Sequence, residues 1–233
     1  MTDVREFRSS DDAWIATCHT DFAFTLFDPT SRYVTDAQWD TMEAMPGWCR
    51  REKAEALVRL ILFGHVRTAV EIGVYGGRSL HALALGLGGV DDNPDLAEPL
   101  LLGLDPWDAE FLGDPMQTTL EGVAAHMRQH WPRTMLLRAS GAAIVQLGRA
   151  VDLLHVDGEH AAPAPLRDVQ AWLPRLRPCD GYIVMDDAHY PGVREATAWL
   201  VQQGAVLLCS VTYADRDPQT NDIGGWQLYH VVR

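Results

Sequence analysis

The chain has 233 residues, 47% of them apolar, a formal net charge of -13 at pH 7 and four cysteines. A chain this long buries a sizeable core without metal or disulfide staples. Its charge repels a nucleic-acid backbone, no apolar run reaches the length of a membrane span, and the cysteines lack CxxC spacing, so neither nucleic acid nor membrane is an expected partner.

Residues 1–51 read as an N-terminal helical extension. The Ser and Asp residues of "SSDDAWIATCHTDFAFTLF" predict a helix start, and "DAQWDTMEAM" a second short helix stopped by "PGW". No apolar leader stands in "MTDVREFRSSDDAW", so a cytoplasmic location with reduced thiols is expected. The aromatic residues Trp14, Phe22, Phe24 and Phe27 are expected to pack on their own domain or to form a homo-oligomer contact.

From residue 52 onward the pattern becomes regular. "REKAEALVRLILF" has helical spacing in Ala54, Leu57, Leu60 and Ile61. "RTAVEIGV", "PLLLGLDPWD", "TMLLRAS", "VDLLHVDGEH" and "GYIVMDD" read as strands, with "GRSLHALALGLG", "PMQTTLEGVAAHMRQHW", "GAAIVQLG" and "APLRDVQAWLPRLR" as the helices between them. After the helix "GVREATAWLVQQG", the strands "AVLLCSVTYA" and "WQLYHVVR" are separated only by the polar "DRDPQTND". Strands alternating with helices at this spacing imply parallel crossovers. The expected fold is therefore α/β: a doubly wound, mostly parallel, seven-stranded Rossmann-like sheet over residues 52–233, with an antiparallel edge hairpin.

"VEIGVYGGRSL" places Glu71, Gly73, Gly76 and Gly77 at a strand-to-helix turn, where ligands of such sheets bind. The dinucleotide fingerprint GxGxxG fails, because Tyr75 stands where its second glycine is needed. The spacing ExGxxxG, followed by Asp105 at the end of the next strand, is instead the pattern of class I S-adenosylmethionine (SAM) methyltransferases. A carboxylate at that position can accept both ribose hydroxyls.

"LLHVDGEH...LRDVQAWLPRLRPCDGYIVMDD" resembles, more narrowly, the metal-dependent O-methyltransferases of natural-product pathways, the macrolide-sugar and cephalosporin-tailoring type. Catechol O-methyltransferases are more distant relatives. The resemblance covers residues 52–233 and implies SAM as cofactor with Mg²⁺ or Mn²⁺. It implies metal ligation by Asp157, Asp186 and Asp187 and a general-base role for His160. Cofactor contacts are expected from Glu71, Gly73, Tyr75, Gly77, Ser79, Asp105, Trp107, Ser140 and Asp157.

Elementary chemistry supports the same assignment. Carboxylates converging at neighbouring strand ends repel one another unless a cation joins them. An all-oxygen set selects a hard cation. Asp186 and Asp187 are adjacent, so both reach one cation only where the strand ends and turns. His155 lies within its strand and reads as a core residue, while His189 and Tyr190 follow the acidic pair in a loop. The expected partner is a small hydroxylated natural product. The alternatives are a metal-independent small-molecule methyltransferase acting on a carboxylate, amine or phenol, and a non-catalytic SAM-binding protein.

Overall fold

The computed structural model describes residues 4–9, 11, 13–28, 33–90, 97–108, 110–111, 114–131, 133–143, 147–216 and 223–232. The N-terminal part holds β1 (Arg5–Arg8), β2 (Trp14–Cys18), α1 (Asp21–Thr25), α2 (Asp36–Glu43) and α3 (Arg51–Phe63). There follow β3 (Thr68–Ile72), α4 (Arg78–Gly88), β4 (Leu100–Asp105), the two-residue strands β5 (Glu110–Phe111) and β6 (Asp114–Pro115), α5 (Met116–His130) and β7 (Thr134–Arg138). The remainder is β8 (Leu153–Val156), α6 (Ala164–Trp172), β9 (Gly181–Met185), α7 (Pro191–Gln202), β10 (Ala205–Arg216) and β11 (Ile223–Val231). All seven strands expected from the sequence are present. Among the described residues, no helix is long and apolar enough to cross a membrane.

The chain divides into two compact units. Residues 29–141 form the first. Its strands β3, β4 and β7 are parallel neighbours in that order, with Val70 opposite Leu102 and Leu104 opposite Leu137. Every residue of β3 is buried, as the continuous apolar run requires of a parallel strand covered on both faces. Leu80, Leu83 and Leu87 bury the inner stripe of α4. Leu57, Leu60 and Ile61 do the same for α3.

The second unit joins residues 1–28 to residues 142–233. Its strand order is β1-β2-β10-β11-β9-β8. Only β8 and β9 are parallel, linked through α6; β9–β11, β10–β11, β2–β10 and β1–β2 are antiparallel. The antiparallel part is thus wider than the edge hairpin expected.

The N-terminal segment departs further from expectation. The helix predicted from "SSDDAW" is a β-hairpin, and the helical extension is limited to α1, α2 and the start of α3. Ser9 Oγ accepts from Trp14 N at 3.3 Å and Asp11 Oδ1 from Ala13 N at 3.3 Å, so the residues taken as helix caps shape a tight turn instead. The helix cap proper is Thr20, whose Oγ1 accepts from Ala23 N at the start of α1. The N-terminal aromatics pack within their own chain: Phe27 lies 5.7 Å from Trp14 and 6.1 Å from Trp226 of β11, and Phe22 stacks on Tyr182. Two sequence readings fall partly outside the described residues: 144–146 of the expected helix "GAAIVQLG", and 217–222 of the loop "DRDPQTND".

Candidate active site

In the first unit, β3 runs into the glycine turn and α4 leaves it. Gly73 and Gly77 have φ of 86° and 85°, values open to glycine without strain. Gly77 is also the N-cap of α4. A Cβ at Gly76 would collide with Pro46, which lets the "PGW" loop lie directly on the turn. Arg78 fastens that loop, donating to the carbonyls of Met45 at 2.8 Å and Glu43 at 3.0 Å.

Asp105, at the end of β4, braces the turn. Its Oδ2 accepts from Tyr75 N at 2.9 Å and its Oδ1 from Trp107 N at 2.9 Å. Trp107 closes the ring by donating Nε1–H to the Tyr75 carbonyl at 3.0 Å. Both partners occupy the left-handed region, Tyr75 at φ 46° and Trp107 at φ 38°, a conformation that costs energy in non-glycine residues and persists because these bonds hold it. Burial raises the Asp105 carboxyl above its ordinary pKa, more than the N–H donors of Tyr75, Trp107 and Val74 lower it. Each carboxylate oxygen has two lone pairs, so these bonds leave capacity for a ligand hydroxyl. Glu71 is fully buried at the end of β3, Ser79 is buried in the first turn of α4, and Ser140 is exposed just after β7. Trp48, which sequence reasoning passed over, stacks on Tyr75 at 5.1 Å and is itself 65% exposed. Its signal was the "PGW" stop, legible as a turn but not as a partner of residue 75.

In the second unit, the carboxyl ends of β8 and β9 bring the acidic and imidazole groups together. β9 ends at Met185, Asp186 sits in a bend, and Asp187 has φ 49°. The strand therefore turns where the adjacent carboxylates require it to turn. Two overlapping groups result, each with its ligand atoms within 4.8 Å of one another: His155, Asp157 and Asp186, and Asp157, His160 and Asp187. Asp157 is common to both. Asp186 and Asp187 thus fall in different groups, each with Asp157 and a histidine, and among the described residues no single group unites Asp157, Asp186 and Asp187. His155 is fully buried, as a core residue would be, yet its Nε2 lies 3.9 Å from Asp157 Oδ2.

His160 Nε2 stands 2.9 Å from Asp187 Oδ2, at ion-pair distance. Its ring stacks on Tyr190 at 4.7 Å. Burial disfavours the charged imidazolium, but Asp187, Asp186 and Glu159 outweigh that effect and raise the pKa. His189 is buried, with Nδ1 3.9 Å from Asp187 Oδ1. Gly192, in the first turn of α7, was also missed: a Cβ there would strike the His160 carbonyl and the Ala162 nitrogen. Its absence lets α7 press against the loop that carries His160.

A family model described as a methyltransferase domain matches residues 70–188. No relative is found among curated proteins by sequence. Among solved structures, the chain is similar to the cofactor-bound protein Rv0187 from MTB: 16% identity, 84% of this chain and 88% of that one covered, TM-score 0.62. It is similar to an O-methyltransferase from Bacillus cereus in complex with SAH, at 13% identity with 90% and 96% covered and a TM-score of 0.62. It is also similar to TomG from Streptomyces achromogenes, an O-methyltransferase involved in tomaymycin synthesis and solved with SAM, at 16% identity with 91% and 96% covered and a TM-score of 0.62. These likenesses extend over most of each chain and show the α/β fold. The matched segment runs from β3 through Ala188 and so takes in the glycine turn, Asp105 and the carboxylate–histidine cluster. The chain belongs to the methyltransferase-domain family.

Proposed function

We propose that the protein is a SAM-dependent O-methyltransferase that methylates a hydroxyl of a small natural product with the help of a divalent cation, Mg²⁺ or Mn²⁺. The observation that carries this reading is the meeting of Asp157, His160 and Asp187 within 4.8 Å at two parallel strand ends. A hard cation suits oxygen donors, and Asp157, Asp186 and Asp187 are the residues assigned to hold it. When bound, SAM supplies an electrophilic methyl group and the cation lowers the pKa of the acceptor hydroxyl.

The chain's own residues then have distinct tasks. Asp105 offers its free lone pairs to the ribose hydroxyls. Gly73 and Gly77 admit the cofactor close to the backbone, beside Glu71, Tyr75, Ser79 and Trp107; Ser140 and Asp157 complete the assigned contacts. His160 takes the acceptor's proton. With Nε2 turned toward Asp187, Nδ1 is the nitrogen left for that proton, and Asp187 stabilises the imidazolium formed. The likeness to the O-methyltransferases of Bacillus cereus and Streptomyces achromogenes supports the oxygen acceptor, and the part of the latter in tomaymycin synthesis supports natural-product chemistry.

Calorimetric titration tests the reading. SAM binds the wild-type protein, Mg²⁺ binds in its presence, and Asp157→Asn, Asp186→Asn and Asp187→Asn each weaken the metal. Undiminished Mg²⁺ affinity in all three variants removes the cation and favours the metal-independent alternative.

A further inference from the structure

Three of the chain's nine histidines gather in the first unit, on two helices, whereas the acidic cluster belongs to the second unit. His81 lies in the first turn of α4 and is 2% exposed. His126 and His130 lie one turn apart on α5 and so share a face. His81 Nδ1 is 2.6 Å from His126 Nε2. The ring centroids are 4.7 Å apart for His81 and His126, 4.4 Å for His126 and His130, and 5.5 Å for His81 and His130.

We propose that His81, His126 and His130 form a second metal site, one that takes a borderline divalent cation such as Zn²⁺ and clamps α4 to α5. The donor chemistry differs in kind from that of the acidic cluster. Three imidazoles without a carboxylate suit Zn²⁺ rather than Mg²⁺. Two histidines spaced i, i+4 on one helix face present a ready chelating pair, and the neighbouring helix adds a third. As they stand, the three nitrogens do not all lie within 4.8 Å of one another. His130 is exposed at the end of α5, and closing the site requires its ring to turn toward His81 and His126.

Ligation needs neutral rings. Burial and the neighbouring imidazoles pull the His81 pKa down to about 4, and burial and His130 lower that of His126. The 2.6 Å hydrogen bond between His81 Nδ1 and His126 Nε2 occupies one of the facing lone pairs, and a cation takes that place when the shared proton leaves. The site adjoins the proposed cofactor turn, because the His81 N–H donates to the carbonyl of Gly77 at 2.9 Å. A cation held there fixes the first turn of α4 without touching a reacting group.

The experiment is equilibrium dialysis of the full chain against Zn²⁺ with Mg²⁺ in excess to fill the oxygen-rich cluster, followed by zinc-edge X-ray absorption. Wild-type protein retains one Zn²⁺ with three imidazole ligands and melts at higher temperature when loaded. His126→Ala and His130→Ala lie on the less buried helix, so they test the site without disturbing the core. Each loses more than the roughly 10–100-fold in affinity that indirect neighbours of a metal account for, while Asp187→Asn keeps its zinc. No zinc on the wild-type protein, zinc lost in Asp187→Asn but kept in His126→Ala, or an absorption spectrum with only two imidazoles would each overturn the proposal.

Discussion

The Nε2 of His160 and the Oδ2 of Asp187 lie 2.9 Å apart, although one residue follows β8 and the other follows β9. The parallel pairing of these strands, with Val156 opposite Met185, brings their ends level. Asp187 is then aimed by its left-handed backbone. A carboxylate in that position orients the ring and favours its charged form, which are the two services a catalytic histidine needs after it has taken a proton.

The pair is expected to separate in mutagenesis. His160→Ala keeps SAM and Mg²⁺ affinity and loses about 10²–10⁴-fold in turnover, the usual contribution of a positioned general base. Asp187→Asn loses Mg²⁺ affinity as well. Calorimetry and turnover on the two proteins check this. Equal metal loss in both variants makes His160 a ligand instead.

Asp105→Asn removes one of the two carboxylate oxygens that hold Tyr75 and Trp107. SAM affinity is expected to fall by about 1.5–3 kcal/mol, the worth of a hydrogen bond to a charged group. The melting temperature falls with it, because the strained turn loses a brace. Unchanged SAM binding would take Asp105 out of the cofactor site.

Gly192→Ala places a methyl group against the backbone of His160 and Ala162, which cannot swing aside as a side chain can. The loop must shift, at a cost of roughly 1–3 kcal/mol for overpacking. Turnover drops while SAM affinity stays, since the cofactor turn is built from other residues. A normal rate in this variant would show that the position of His160 is not critical.

Asp168 gives a stability test. It lies on α6, 6% exposed, and burial raises its pKa from 3.8 to about 6. The unfolded chain therefore gives up this proton first as pH rises. Between about pH 4 and 6 the folded state binds more protons, so stability falls with rising pH, and the full penalty applies above pH 6. Asp168→Asn removes the charge and is expected to stabilise the protein by on the order of 1–3 kcal/mol at pH 7.5 and to have no such effect at pH 4. Denaturant melts at the two pH values check the sign, and destabilisation at pH 7.5 would contradict it.

Much of this architecture was legible because the residues carried redundant signals. The apolar runs of β3, β4 and β8 end in glycine or aspartate and are followed by helical spacing, so strand, turn and helix support one another. Asp157, His160, Asp186 and Asp187 were visible for the same reason: charge at the end of a buried strand is costly without a purpose. The N-terminal hairpin was missed because Ser9 and Asp11 bond to nearby backbone equally well in a turn and at a helix cap. The alternation was nevertheless present in "WIATC", where Ala16 and Cys18 are buried between less buried neighbours. Trp48, Gly192 and the meeting of His81 with His126 are contacts across long sequence separations. Composition and spacing carry no trace of such pairings until the fold brings them together.

The most direct measurement is transfer of a labelled methyl group from SAM to a panel of small sugars, catechols and other hydroxylated metabolites, with Mg²⁺ and then with EDTA. S-adenosylhomocysteine and an O-methylated product are expected with Mg²⁺ present, loss of both on chelation, and recovery when Mg²⁺ or Mn²⁺ is restored. Transfer that continues undiminished in EDTA, or a methyl group found on nitrogen, would contradict it.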